Sequence, residues 1–123
     1  MNALVVDDSR AMRMILSREL AALGFEVTQA ASGTEALKLL EPPLSCPNLV
    51  LVDWNMPGIT GLEFVQAVRT KPEALSTALL MVTTETGMGQ MVRAMEAGAN
   101  EYLMKPFTRE MIADKLRIIG LLE

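Results

Sequence analysis

Three carboxylates, a hydroxyl and an ammonium recur at equivalent places along this chain, and together they could carry out phosphoryl transfer. Asp7 and Asp8 follow the apolar run Ala3-Leu4-Val5-Val6, and Asp53 ends the run Leu49-Val50-Leu51-Val52. Thr83 follows Leu79-Leu80-Met81-Val82, and Lys105 follows Tyr102-Leu103-Met104. Each run is short and apolar without alternation, the pattern of a strand covered on both faces in a parallel sheet. Parallel strands bring their carboxyl ends to one edge, and in open α/β sheets ligands bind at that edge. One polar residue after a strand is ordinary loop chemistry. Four complementary endings at one edge make a site.

The charges dictate what such a site can do. Carboxylates held close together repel, and without a counter-charge one of them has its pKa pushed up. Mg²⁺ relieves this, because it takes hard oxygen ligands and keeps several waters, so Asp7, Asp8 and Asp53 suit it. A dianionic phosphoryl group could then approach, and Asp53 could attack phosphorus to form an acyl phosphate. Lys105 would supply further positive charge, and the Thr83 hydroxyl would donate to a phosphoryl oxygen.

Composition narrows the classes. The 123 residues fit one domain spanning 1–123, with half of them apolar and only 4% aromatic, so the core must be aliphatic. The net charge of −4 argues against direct nucleic-acid binding. No apolar stretch approaches the roughly 18 residues of a membrane span, and Met1-Asn2-Ala3-Leu4 lacks the charged region of a signal peptide. A single cysteine, Cys46, rules out an internal disulfide and suits a cytoplasmic setting. With no histidine, the chain can use neither an imidazole base nor an imidazole metal ligand.

Five helices are expected between and after the strands. Ser9 caps the first, with Met12, Ile15, Leu16, Leu20 and Leu23 spaced to face a core and Gly24 as the stop. Phe25–Ala30 reads as a more polar edge strand that ends without a reactive group. Ser32-Gly33-Thr34-Glu35 carries the capping-box pattern and opens a helix through Leu40. Glu41–Asn48 is a loop. Leu62, Val65 and Val68 mark a third helix that ends near Thr70-Lys71-Pro72. Met88, Met91, Val92 and Met95 follow the i, i+3, i+4, i+7 rule of a fourth, closed by Gly98. Thr108 caps the fifth, with Ile112, Leu116 and Ile119 as its buried stripe. Alternating strands and helices predict a doubly wound five-stranded parallel sheet.

The quoted stretches Val6-Asp7-Asp8-Ser9, Val52-Asp53-Trp54-Asn55-Met56-Pro57-Gly58, Gly61-Leu62-Glu63, Met81-Val82-Thr83, Ala97-Gly98-Ala99 and Lys105-Pro106-Phe107 span nearly the whole chain. On them the chain resembles the receiver domains of two-component response regulators, and most of all the single-domain chemotaxis members. The resemblance implies a flavodoxin-like (CheY-like) fold with strand order 2-1-3-4-5. It implies Asp53 as phosphoacceptor, Mg²⁺ on Asp7, Asp8, Asp53 and the backbone carbonyl of Asn55, and Thr83 and Lys105 as phosphoryl contacts. It also makes Tyr102 the aromatic whose rotamer follows phosphorylation, and Asn55 and Glu85 the positions that tune phosphoryl lifetime. The implied donor is a sensor histidine kinase. The implied output is a downstream effector, such as the flagellar motor switch, that reads the surface of helix four, strand five and helix five. The protein would act as a cytoplasmic monomer, without membrane or nucleic-acid binding, and without enzymatic activity beyond self-catalysed phosphotransfer and autodephosphorylation. Thr86-Gly87-Met88-Gly89 departs from the family's pattern, with two glycines that loosen the start of the fourth helix. A turn that aims Lys105 into the site while the chain enters the last helix also calls for a cis Lys105–Pro106 bond, as does the resemblance.

Other readings compete. A phosphatase of the haloacid-dehalogenase type also uses an Asp nucleophile, Mg²⁺, Thr and Lys, but needs a second Asp where this chain has Asn55. A flavin module on this fold needs a hydroxyl- and glycine-rich phosphate loop where Asp7-Asp8 stands. A receiver excised from a larger transcriptional or enzymatic regulator would look the same. Outside the site, Arg10, Arg13 and Arg18 read as a solvated helix face, and Gly58 and Gly61 as turn punctuation. Cys46 reads as a loop residue and Trp54 as a neighbour and natural reporter of the site. The ten methionines read mostly as filler, with Met88 a candidate for a surface that repacks against a partner.

Overall fold

A computed structural model describes residues 1–41, 46–84 and 88–123. Five parallel strands, β1 (Asn2–Val6), β2 (Glu26–Ala30), β3 (Leu49–Asp53), β4 (Ala78–Thr83) and β5 (Glu101–Met104), form one sheet in the order β2-β1-β3-β4-β5. Five helices accompany them: α1 (Arg10–Ala22), α2 (Gly33–Leu39), α3 (Gly61–Arg69), α4 (Met88–Ala97) and α5 (Arg109–Ile118). A short 3-10 turn, Pro72–Ala74, was not foreseen. The flavodoxin-like fold and its strand order are as expected, and the polar β2 does lie at an edge.

Strand residues alternate between two cores, as the period of two requires. Leu4, Val6, Val50, Val52, Leu79, Met81 and Tyr102 pack with side chains of α2, α3 and α4. Ala3, Val5, Leu49, Leu51, Leu80, Val82 and Leu103 pack with those of α1 and α5. The central strands β3 and β4 are buried along their whole length, which explains why their sequences show no alternation.

Helix starts follow side-chain chemistry. Ser9, Ser32, Thr60 and Thr108 accept bonds from the backbone N–H groups of Met12, Glu35, Glu63 and Met111. The reciprocal box forms at Thr60 and Glu63, where it was not anticipated. At Ser32 it does not close, because the Glu35 carboxylate reaches one residue further and accepts from Ala31 N.

Two stripes need correction. Ile15 of α1 is 42% exposed, whereas Leu16 and Leu20 are buried. On α4, Met88, Met91, Val92 and Met95 all face solvent, Met88 at 77% exposure, and the helix rests on the sheet through Ala94. Only part of the methionine reading holds: Met56 and Met81 fill the core, while Met1, Met14, Met88, Met91, Met95 and Met111 are exposed.

Candidate functional site

Register sets the level at which the polar groups emerge. Val6 pairs with Val52 and Asp53 with Val82, so Asp7, Asp53 and Thr83 leave the sheet at neighbouring heights. Lys105 N donates to Thr83 O at 2.8 Å, which brings the end of β5 to the end of β4. The Lys105–Pro106 bond is cis, as anticipated.

The geometry is compact. Lys105 Nζ lies 3.5 Å from Asp7 Oδ2 and 3.5 Å from Asp53 Oδ2, one cation between two carboxylates. Asp7, Asp8 and Asp53 each offer an oxygen within 4.8 Å of the others. Asp7 is 1% exposed and Asp53 nearly as buried, while Asp8 faces solvent. Thr83 is fully buried next to this edge, and Asn55 is exposed beyond it. Glu85 lies outside the described residues.

Local bonds hold the carboxylates in place. Asp7 Oδ1 accepts from Ser9 N at 2.8 Å, and Asp7 N donates to Ala30 O at 3.2 Å. Arg13 Nη1 donates to the Asp7 carbonyl at 2.7 Å and its Nε to Gln29 Oε1 at 3.3 Å, so Arg13 ties the end of β1 to β2 and is not merely solvated. Asn55 N donates to Asp53 Oδ1 at 3.4 Å. Burial, followed by the charge of Asp7, pushes the Asp53 carboxyl above its ordinary range, and Lys105 opposes the rise.

Gly61 is more than turn punctuation. It is buried, its N–H donates to Trp54 O at 3.0 Å, and a Cβ there would sit 2.3 Å from Asp53 O and 2.9 Å from Trp54 Cα. Only a residue without a side chain lets α3 start against the backbone of the reactive strand. A second unforeseen support is Arg69 of α3. It donates to Gly98 O and Ala74 O, both at 2.9 Å, and to Asn100 Oδ1 at 2.8 Å, while Asn100 Oδ1 also accepts from Leu79 N at 2.7 Å. A basic residue at the end of a helix gives no sign in sequence of which distant carbonyls it will meet.

The donor set fits a hard divalent cation. Asp7 Oδ2 is buried and has no hydrogen-bond partner among the described residues, which is costly for a carboxylate oxygen unless charge reaches it. Lys105 approaches it at 3.5 Å, beyond ordinary hydrogen-bond length, and two further carboxylates stand alongside. Such an acidic pocket is the kind that receiver domains use for Mg²⁺.

Residues 3–117 match the response regulator receiver domain family. The chain belongs to that family. The receiver domain is 38% identical over 120 residues to the chemotaxis protein CheY1 of Helicobacter pylori, covering 97% of this chain and 96% of that protein. It is 41% identical over 117 residues to the CheY homolog of Campylobacter jejuni, covering 94% and 89%. The structure of the chemotaxis response regulator CheY4 of Vibrio cholerae superposes with a TM-score of 0.88 at 37% identity, covering 96% and 97% of the two chains. The receiver domain is thus a phosphoacceptor signalling module of a two-component system, a class that works with histidine kinases and downstream effectors. The phosphatase alternative is not favoured. Among the described residues, no helix is long and apolar enough to cross a membrane.

Proposed function

We propose that Asp53 receives the phosphoryl group from a phosphohistidine of a sensor kinase and that the resulting state controls binding of an effector in chemotaxis. The observation that carries this reading is the placing of Lys105 3.5 Å from both Asp7 and Asp53 at the carboxyl edge of the sheet. An Asp53 oxygen attacks phosphorus, the bond from phosphorus to the donor imidazole nitrogen breaks, and that nitrogen keeps the electron pair. The product is an acyl phosphate on Asp53. Lys105 and the Thr83 hydroxyl then offer positive charge and a hydrogen bond to phosphoryl oxygens. Asp7, Asp8, Asp53 and the Asn55 backbone carbonyl would hold Mg²⁺, which when bound offsets the negative charge gathered there.

Autodephosphorylation returns the chain to its resting state. Water attacks phosphorus, the bond to the Asp53 oxygen breaks, and phosphate leaves with the carboxylate restored. Asn55, exposed at the rim, and Glu85 are the residues we assign to tuning the rate of this step. Asn55 lies two residues from Asp53 and its N–H donates to Asp53 Oδ1 at 3.4 Å, which places the residue beside the reacting carboxylate.

For output, Thr83 and Tyr102 are the coupled pair. Tyr102 is 3% exposed and belongs to the same core as Met81 and Ala94. Beside it, a cavity of about 280 Å³ is lined by Met91, Tyr102, Leu103, Met104 and Met111, with Asp114 and Lys115 of α5 also on its wall. A phosphoryl group drawn to Thr83 would favour the inward ring, and an effector that prefers this face shifts the balance further. The names of the relatives point to chemotaxis, and we take the flagellar motor switch as the effector to be tested. We read the protein as a cytoplasmic monomer that does not bind nucleic acid directly.

The experiment is labelling with acetyl phosphate with and without Mg²⁺, followed by hydroxylamine, which cleaves acyl phosphates. Mg²⁺-dependent, hydroxylamine-sensitive phosphate on the protein is expected. Hydroxylamine-resistant phosphate would overturn the assignment.

A further inference from the structure

The chain has one tryptophan, and it follows the phosphoacceptor directly. Trp54 belongs to the buried core, its N–H donates to Val82 O at 3.3 Å, and its carbonyl accepts from Gly61 N at 3.0 Å. The ring is therefore a fixed platform next to Asp53. Over it lies the guanidinium of Arg93, 6.0 Å from the ring centroid. Arg93 Nη2 also donates to Gln90 Oε1 at 2.7 Å, which orients the group along α4. Arg93 is the one cation in the sequence of α4. That helix meets the core through buried Ala94 and half-buried Ala97, its apolar stripe of Met88, Met91, Val92 and Met95 facing outward. Only small side chains of α4 meet the core, so Arg93, in its contact with Trp54, is among the described residues the one long side chain of the helix seen against the β3 end.

We propose that Arg93 is a positioning residue through which negative charge gained at Asp53 acts on α4, by way of its contact with Trp54. The inference rests on reading Asp53 as the phosphoacceptor. A phosphoryl group adds about 1.5 to 2 negative charges at neutral pH. That charge arises one residue from the ring on which the only cation of α4 rests. The cation is drawn toward it, and α4 follows. This route is separate from that through Thr83 and Tyr102, because it enters α4 from the β3 side. Coupling of this kind is reciprocal: if the anion repositions Arg93, then Arg93 strengthens binding of the anion.

The test is hydrogen exchange of peptides covering residues 88–97, with and without beryllofluoride and Mg²⁺, in wild type, Arg93→Ala and Arg93→Lys. Trp54 emission reports beryllofluoride affinity in the same samples. In wild type, beryllofluoride changes exchange across α4. In Arg93→Ala, exchange at α4 without beryllofluoride rises about two- to five-fold, as expected for an exposed cation–π contact. The beryllofluoride-dependent change is lost, and affinity falls by a similar factor. Arg93→Lys restores most of both. The proposal is overturned if Arg93→Ala keeps the wild-type response and affinity, or raises exchange equally in both states, the mark of a merely structural contact. A wild-type α4 that ignores bound beryllofluoride overturns it too. Wild type that fails to bind beryllofluoride at all would instead remove the phosphoacceptor reading, and this inference with it.

Discussion

Gly61→Ala isolates one contact between the scaffold and the reactive strand. The added Cβ would meet Asp53 O at 2.3 Å, Trp54 Cα at 2.9 Å and the Asp53 carbonyl carbon at 3.0 Å, all backbone atoms that no rotamer change can move aside. Carbon atoms rest about 3.5–4.0 Å apart, so Trp54 Cα must retreat by at least about 0.6 Å. The start of α3 must move away from β3, which strains the Gly61 N–H bond to Trp54 O. Overpacking of this kind costs about 1–3 kcal/mol. For a domain of this size the cost corresponds to a fall in Tm of roughly 4–15 °C. The same shift displaces the carboxylate of Asp53, and a misplacement of about 1 Å can reduce a reaction rate on the order of 100-fold. The measurements are thermal unfolding and the rate of labelling by acetyl phosphate. Gly89→Ala is the control, because nothing lies within 4 Å of its added Cβ and it sits in the first turn of α4. That change should leave Tm unchanged or raise it, by up to about 1 kcal/mol of stability. If Gly61→Ala retains the wild-type Tm and labelling rate, the close approach does not govern the site.

The remaining predictions probe charge, coupling and support. Asp53 has its pKa raised in the folded chain, so the native state binds this proton more tightly than the unfolded chain does, where the value is about 3.9. Its charged form therefore opposes folding at neutral pH, and stability recovers as pH falls through the raised folded value. Without divalent ions, Asp53→Asn should raise Tm at pH 7 and lose its advantage below about pH 4; an advantage that persists in acid would refute the sign. Thr83→Ala should keep phosphorylation, at a lower rate, but weaken beryllofluoride-dependent effector binding, and an undiminished gain would show that coupling does not run through Thr83. Tyr102→Phe should leave phosphorylation unchanged while altering effector affinity; equal affinity with and without the hydroxyl would remove that group from the switch. Arg69→Met should destabilise by roughly 2–4 kcal/mol, because three carbonyl oxygens lose a charged donor; denaturant unfolding with an unchanged midpoint would contradict this.

The site was legible because it is written in the ends of uninterrupted apolar runs. Once β1, β3, β4 and β5 are recognised as parallel, Asp7, Asp53, Thr83 and Lys105 can emerge only at one edge. What the sequence concealed has specific causes. The α4 stripe of Met88, Met91, Val92 and Met95 has perfect helical spacing, but periodicity does not say whether an apolar face meets the core or the solvent. The face that does meet the core is marked only by Ala94 and neighbouring small side chains, whose hydropathy signal is weak. Ile15 was misplaced for a related reason: next to Leu16, it lies just outside the buried arc of α1. Arg13 and Arg69 bond to backbone carbonyls, and those acceptors look alike at every position of a sequence. Gly61 resembles any turn glycine until the backbone of Asp53 is seen against it.

The central claim is that Asp53 alone carries the phosphoryl group. Intact-mass analysis of wild type and Asp53→Asn after incubation with acetyl phosphate and Mg²⁺ tests it most directly. Wild type should gain the mass of one phosphoryl group and Asp53→Asn none, with both proteins equally folded. Equal modification of the two would place the acceptor elsewhere and contradict the account.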